Sequence, residues 1–397
     1  MFINLGTIIL YTFGVFLKPI VGEMGWQRAV IVGAFGPATL AAGLVAPFAG
    51  ALIDRFGVRR FVFAASLAFA AGLCLLGLYP HTQNEYVVCL IIAVISGAGL
   101  TPLPFSYVVT EAFDRRRGLA LGVVLTISAA AVAILPPVAA QVIDRFGWRE
   151  AYVMLGIFVL VGGVFIATVL FRSLRAKTRA LRSSVALMPA ASVPGVTYGK
   201  ALRSPIFWLL LASLFLASFC VSAGTIPLPA VLSDRGVPPT RAALAFSIIG
   251  ISMGITRLTV GALLDYLRAP KLTAALLLAP IVGHVLLAQG TAGGEVVVAA
   301  ACFGIGLGVE LDAYAYMVSR AFGVANFGKI YGTVLIAFTA GIATGPSIVS
   351  SVFVDTGGFN PGFLAMGAAG VLAAALLFFV KPSAFPYAAR GHAPATK

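Results

Sequence analysis

The sequence predicts an all-α polytopic membrane protein, with twelve transmembrane helices arranged as two pseudo-symmetric six-helix bundles. The first ground is composition: 60% of the residues are hydrophobic and only 10% charged, with a mean hydropathy of +1.03. The second is periodic length. Apolar stretches of about 20 residues recur from end to end, each long enough to cross ~30 Å of hydrocarbon. The third is an internal repeat. Gly50-Ala-Leu-Ile-Asp54-Arg-Phe-Gly57 closes the second stretch and Ala140-Gln-Val-Ile-Asp144-Arg-Phe-Gly147 closes the fifth. Asp54 and Asp144 are 90 residues apart, as are Asp265 and Asp355 near the ends of the eighth and eleventh stretches. Stretches two and five run in opposite directions, so three-helix units repeat with inverted topology within each half, which is the plan of a transporter.

In order, the spans read as 2–19, 27–53, 60–79, 86–111, 117–140, 150–171, 205–231, 242–264, 272–289, 295–318, 329–353 and 360–380. The first is too long in its apolar part for a signal peptide and lacks a basic leader. Residues 1–171 form the first bundle and 205–381 the second. A basic cytoplasmic linker, 172–204, joins them, and 382–397 is a cytoplasmic tail. With both termini in the cytoplasm, twenty of the twenty-seven Lys and Arg residues fall on the cytoplasmic side and six on the outer side. That asymmetry decides the orientation, and it explains the net charge of +14 without nucleic acid. Trp26 and Trp148 fall near outer helix ends, where interfacial anchors sit. The expected location is the plasma membrane, a bacterial inner membrane, with a monomer as the unit.

Arg257 is the one cation left over. It lies inside the apolar eighth span, eight residues before Asp265, so roughly 12 Å from the nearer end. A guanidinium keeps its proton at such depth and needs an anionic partner or ligand. The tenth span holds Glu310 and Asp312, ~15 Å and ~12 Å from Arg320 and hence at the same level. Residues two apart diverge by ~200° around a helix, so both cannot face Arg257. One carboxyl is expected to pair with Arg257 and carry a coupling proton; a purely structural pair joining spans eight and ten is the alternative. Tyr314 and Tyr316 follow the two acids at i+4, each placing a phenol over a carboxyl. Tyr11, Tyr107 and Tyr314 are candidates to line a cavity, with core or interface packing as the alternative for each. Small-residue pairs at i, i+4 (Gly118 and Gly122, Gly304 and Gly308, Gly341 and Gly345) let helices approach closely. Asp54, at the cytoplasmic end of span two, is placed to interact with the N-terminus of span eleven, while Arg55, Arg59 and Arg60 can pair with Asp114 or lipid phosphates.

These motifs resemble the major facilitator superfamily. Gly50 to Arg60 is similar to its loop 2–3 signature, and Phe113-Asp-Arg-Arg-Arg117-Gly-Leu-Ala-Leu-Gly122 to the start of helix 5 in its monocarboxylate and oxalate–formate branches. Arg257, followed by Gly261, resembles the helix 8 arginine that those branches use for substrate carboxylates. Phe327-Gly-Lys-Ile-Tyr-Gly332 and Gly345-Pro346 are similar to the ends of their helix 11. The resemblance implies a gating latch at Asp54, Arg55, Arg59 and Arg60 that holds the cytoplasmic side shut in the outward-open state. Two departures stand out. Met253 occupies the place of an aspartate one turn before the arginine, and Tyr11 that of a helix 1 lysine. Helix 11 carries no second buried cation, which favours a monocarboxylate over oxalate.

The sequence thus points to a secondary active transporter of a small organic monocarboxylate, proton-coupled or exchanging a counter-anion, by rocker-switch alternating access. Arg257 would bind the carboxylate and Glu310 or Asp312 the proton. Proton-driven efflux of a hydrophobic compound is the alternative, and a non-transporting sensor on the same scaffold is the reading from another class. Enzyme, metal and cofactor readings find no support in the sequence. There is no Ser/His/Asp set, no phosphate-binding GxxxxGK[ST] and no paired His/Cys ligands, and the four cysteines are scattered.

Overall fold

The computed structural model describes residues 2–100, 117–170, 195–264, 266–289, 293–323, 326–356 and 358–380. The helices are α1 (Phe13–Met24), α2 (Arg28–Phe56), α3 (Val58–Leu78), α4 (Gln83–Gly97), α5 (Arg117–Phe146) and α6 (Trp148–Phe165). They continue as α7 (Pro205–Thr225), α8 (Pro239–Leu263), α9 (Ala269–Leu276, resuming as Leu278–Ala288), α10 (Glu295–Phe322), α11 (Phe327–Thr356) and α12 (Asn360–Phe378). Eleven helices among the described residues are long and apolar enough to span a membrane. The first span departs from the simple expectation. A π-helical turn, Gly6–Leu10, precedes α1, and α1 itself has only 12 residues. Hydropathy specifies the length of apolar chain but not the hydrogen-bond register inside it, so the break has no signature in the profile.

The helix ends follow local chemistry. Thr82 and Glu85 form a reciprocal capping box at the start of α4, the threonine Oγ1 accepting from Glu85 N at 3.4 Å and the Glu85 carboxylate from Thr82 N at 3.1 Å. The repeat read from the sequence is visible in the backbone. Gly57 and Gly147, with φ of 79° and 95°, each make the sharp joint into the following helix, α3 and α6. A residue with a Cβ is strained at such φ, which accounts for glycine at both ends of the repeat. Beyond α7, Pro227 and Pro229 bracket the start of a separate short helix, Leu228–Asp234.

One apolar core gathers α1–α6 and takes in Ile226 and Ala230; a second joins Ala129 and Val132 of α5 to α7–α12, and a third lies within the second half. The halves meet along two crossings, α2 on α11 and α5 on α8. Small residues allow both. A Cβ on Gly36 would fall 2.7 Å from Ala343 O, and one on Gly250 would fall 2.6 Å from Ala129 O. Ser247 Oγ also donates to Ala133 O across the second crossing, at 2.7 Å. At the end of the molecule where α1 stops and α2 starts, the halves are clasped. Lys18 Nζ donates to Ser233 O at 2.8 Å and lies 4.0 Å from Asp234, which also takes an ion pair from Arg28. The Arg28 guanidinium sits 5.6 Å from the ring centres of both Phe353 and Phe359, which stack on each other.

Most of the expected linker, and the tail, fall outside the described residues. The linker's end is bound to the second half: Val196 N donates to Phe322 O at 2.9 Å, and Tyr198 shares a hydrogen bond with Thr333.

Candidate functional site

The α8–α10 crossing sets the site's geometry. Gly304 and Gly308 of α10 sit directly on α8; a Cβ on Gly308 would fall 2.6 Å from Thr256 Cβ and 2.9 Å from Met253 O. On the other side of α8, Gly250 and Gly254 face α5. Arg257 is therefore held between two close neighbours, one from each half, and is only 8% exposed. Its Nη1 donates to Ser128 Oγ of α5 at 2.8 Å. Its Nε lies 3.9 Å from Asp312 Oδ2 of α10. One guanidinium thus bridges the two halves, inside α8 and nearer its C-terminal end.

The helical divergence of Glu310 and Asp312 is resolved in the same place. Among the described residues, Asp312 forms an ion pair with Arg257. Glu310 turns toward α7 and the start of the chain, 2% exposed, into a narrow cavity. That cavity has room for about one water molecule. Tyr11, Ser218, Ser222, Thr225 and Leu307 line it beside Glu310. Among the described residues, Glu310 Oε1 has no hydrogen-bond partner. Tyr11 lies where the chain enters α1, its ring edge-on to Phe246 of α8 at 6.3 Å. Arg257 exerts its field on Tyr11, Glu310 and Tyr331 together.

The tyrosines of α10 do not cover the carboxyls. Tyr314 OH shares a 2.5 Å hydrogen bond with Ser213 Oγ, which also donates to Ala373 O, so this phenol is fixed inside the second half's core. Tyr316 instead lies under Arg320, at 5.0 Å. The i+4 spacing is right, but Ser213 of α7 takes one phenol, and Arg320, one turn further along the same face, takes the other. Tyr107 and Asp114 lie outside the described residues. Asp54 sits in the last turn of α2; Arg55 covers the ring of Phe56 at 5.3 Å, and Arg59 and Arg60 begin α3.

Sequence reasoning missed Ser128, Tyr331 and the hydroxyls of α7. Tyr331 OH donates to Leu311 O at 3.0 Å, bracing the α10 backbone between the two acids. Ser218, Ser222 and Thr225 recur at i, i+4 and i+7, the spacing of one helix face, and that signal was available.

The sequence pattern of the Major Facilitator Superfamily matches residues 2–346. The chain belongs to this superfamily. As a major facilitator it is a multi-pass transport protein and not an enzyme. An uncharacterized MFS-type transporter of Bacillus subtilis is 28% identical over 149 residues, 37% of this chain and 36% of that protein. The chain thus spans about a third of that relative. Human monocarboxylate transporter 11 is 25% identical over 364 residues, 86% of this chain and 72% of the relative. The crystal structure of a D-xylose–proton symporter superposes with a TM-score of 0.70 at 17% identity, covering 96% of this chain and 97% of the other. At that identity the superposition establishes a shared fold.

Proposed function

We propose that this major facilitator carries a small organic monocarboxylate, coupled to protons or exchanged for another anion, by rocking its two halves around Arg257. The observation that carries the proposal is the guanidinium buried between the halves, on Ser128 of one and Asp312 of the other. A planar fork at that depth suits a carboxylate, which it can grip with two parallel N–H bonds. A carboxylate arriving from solvent competes with Asp312 for the same cation and displaces it. The similarity to monocarboxylate transporters at about a quarter identity supports the same substrate class.

With both termini in the cytoplasm, as the Lys and Arg distribution favours, the Lys18–Arg28–Asp234 clasp lies on the outer face. The conformation then has its outer gate drawn together. Asp54, Arg55, Arg59 and Arg60 lie on the opposite side, where a latch would close in the outward-open state.

The deciding experiment is uptake into proteoliposomes across a panel of mono- and dicarboxylates, with Arg257→Ala as control. Carboxylate uptake that depends on Arg257 supports the proposal. Full carboxylate transport by Arg257→Ala would remove the anion site. Transport of neutral or cationic hydrophobic compounds that depends on the acids and not on Arg257 would put efflux in its place.

A further inference from the structure

We infer that the cavity at Glu310 is a site for one small monovalent cation, chemically separate from the anion locus at Arg257. Each wall contributes to this. Ser218 Oγ donates to Leu214 O at 2.9 Å, Thr225 Oγ1 to Val221 O at 2.9 Å, and Ser222 Oγ to Phe219 O and Gly341 O at 3.3 Å. All three hydroxyl protons are thus committed to backbone carbonyls. What the hydroxyls offer the cavity is their lone pairs. Glu310 adds a carboxylate whose Oε1 has no partner among the described residues. A pocket lined on one side by α7 hydroxyl oxygens and on another by a carboxylate attracts a guest that is positively charged or donates hydrogen bonds.

Size narrows the choice. Room for about one water molecule admits a proton on the carboxyl or a bare alkali ion, and excludes an organic ammonium or a substrate's hydroxylated end. Other ionisable groups near Glu310 are few. Arg257 approaches from α8 but is engaged by Ser128 and Asp312. Tyr11 comes from the start of the chain and Cys220 from α7, while Tyr314 on α10 itself is held by Ser213. His284 of α9 is bonded to Cys220 O at 2.8 Å, and α11 contributes the apolar Ile342. Arg257 therefore opposes the guest's charge, while the Glu310 carboxylate and the α7 hydroxyl oxygens, set among apolar walls, favour it.

The two acids then divide the work. Asp312 is the counter-ion that a carboxylate displaces, and Glu310 takes the coupling ion. If that ion is a proton, an O–H bond forms at Glu310 on loading and breaks on release, the proton returning to water on the other side. If it is sodium, the carboxylate and hydroxyl oxygens coordinate it without bond making. The assignment of a coupling role rests on the transport proposal, but cation binding itself does not.

The test uses the purified full-length protein in detergent. Its unfolding temperature is followed from acidic to alkaline pH in choline chloride, and again with sodium chloride replacing choline at fixed ionic strength. A shift of a few degrees with pH in choline alone identifies the proton, and a shift on adding sodium identifies sodium. Either shift should vanish in Glu310→Gln and persist in Glu295→Gln, an exposed acid at the other end of α10. Glu310→Asp, which keeps a carboxyl one methylene shorter, serves if the glutamine variant does not fold; it should respond with a displaced midpoint. A wild type indifferent to both cations overturns the site, as does an unchanged response in Glu310→Gln or Glu310→Asp. A parallel titration with pyruvate and acetate separates the two proposals. If carboxylates leave the wild type unmoved while the cation response stands, the anion site fails and the cation site remains.

Discussion

Among the described residues, Arg257 meets Ser128 and Asp312, which are far apart in sequence, and their chemistry sets what its replacements should do. Arg257→Lys keeps the charge but loses the planar fork. It should fold and reach the membrane, yet bind carboxylates at least about tenfold more weakly, a difference of roughly 1.4 kcal/mol. Arg257→Ala also strands Asp312 without its cation. Adding Asp312→Asn should therefore recover melting temperature without recovering carboxylate binding, whereas adding Glu310→Gln should recover less. Tyr314→Phe removes a hydrogen bond inside the second half's core. It should lower stability by about 1 kcal/mol while leaving carboxylate affinity unchanged, as a thermal-shift titration would record. Arg257 was legible in the sequence because a guanidinium inside a long apolar run demands an explanation. Ser128 was not, since a lone serine in a membrane helix is ordinary and only packing shows what it meets. That Glu310 and Asp312 point apart follows from helical geometry. Which of them meets Arg257 depends on the rotation of α10 against α8, which spacing alone does not determine.

At the level of helices, the glycines of α10 hold α8 close enough for Arg257 and Asp312 to meet. Gly308→Val puts a branched side chain where Thr256 and Met253 already stand. It should cost on the order of 1–3 kcal/mol of stability. It should also weaken carboxylate binding without touching a site residue, whereas Gly261→Ala, whose added Cβ meets nothing within 4 Å, should do neither. Melting curves and binding isotherms on the two variants check this. The i, i+4 small-residue pairs were readable in advance, and so was the repeat that places Gly57 and Gly147 at matching joints. The π-turn before α1 was not, because it breaks a span without changing its hydropathy; the separate helix after Pro227 had a signal in Pro227 and Pro229, which hydropathy alone passes over.

For the whole molecule, twelve spans and the superfamily were written in the sequence, but the relation of the halves was not, since it depends on contacts between residues some 200 positions apart. Asp234, gathering Lys18 and Arg28 from the other half, is such a contact. Exposed ion pairs contribute little singly, but here two cations share one carboxylate and Arg28 also covers two aromatic rings. Asp234→Asn should loosen that end and raise labelling of cysteines introduced on the outer half, more so in low salt, where the intact clasp is strongest. Asp54→Asn should act in the opposite direction, raising labelling on the cytoplasmic half. Identical labelling in all three proteins would remove both gates. The bridge from Ser128 through Arg257 to Asp312 also bears on the rate of turnover. If the halves rock as proposed, it ties them together in the empty carrier, so the unloaded return journey must first break it. On the proposed function, a bound carboxylate would occupy the guanidinium and remove that tether in advance. Loaded carriers should therefore reorient faster than empty ones, and label should leave preloaded vesicles faster when unlabelled substrate waits outside. In Ser128→Ala that trans-stimulation should shrink, because the empty carrier has lost its brake.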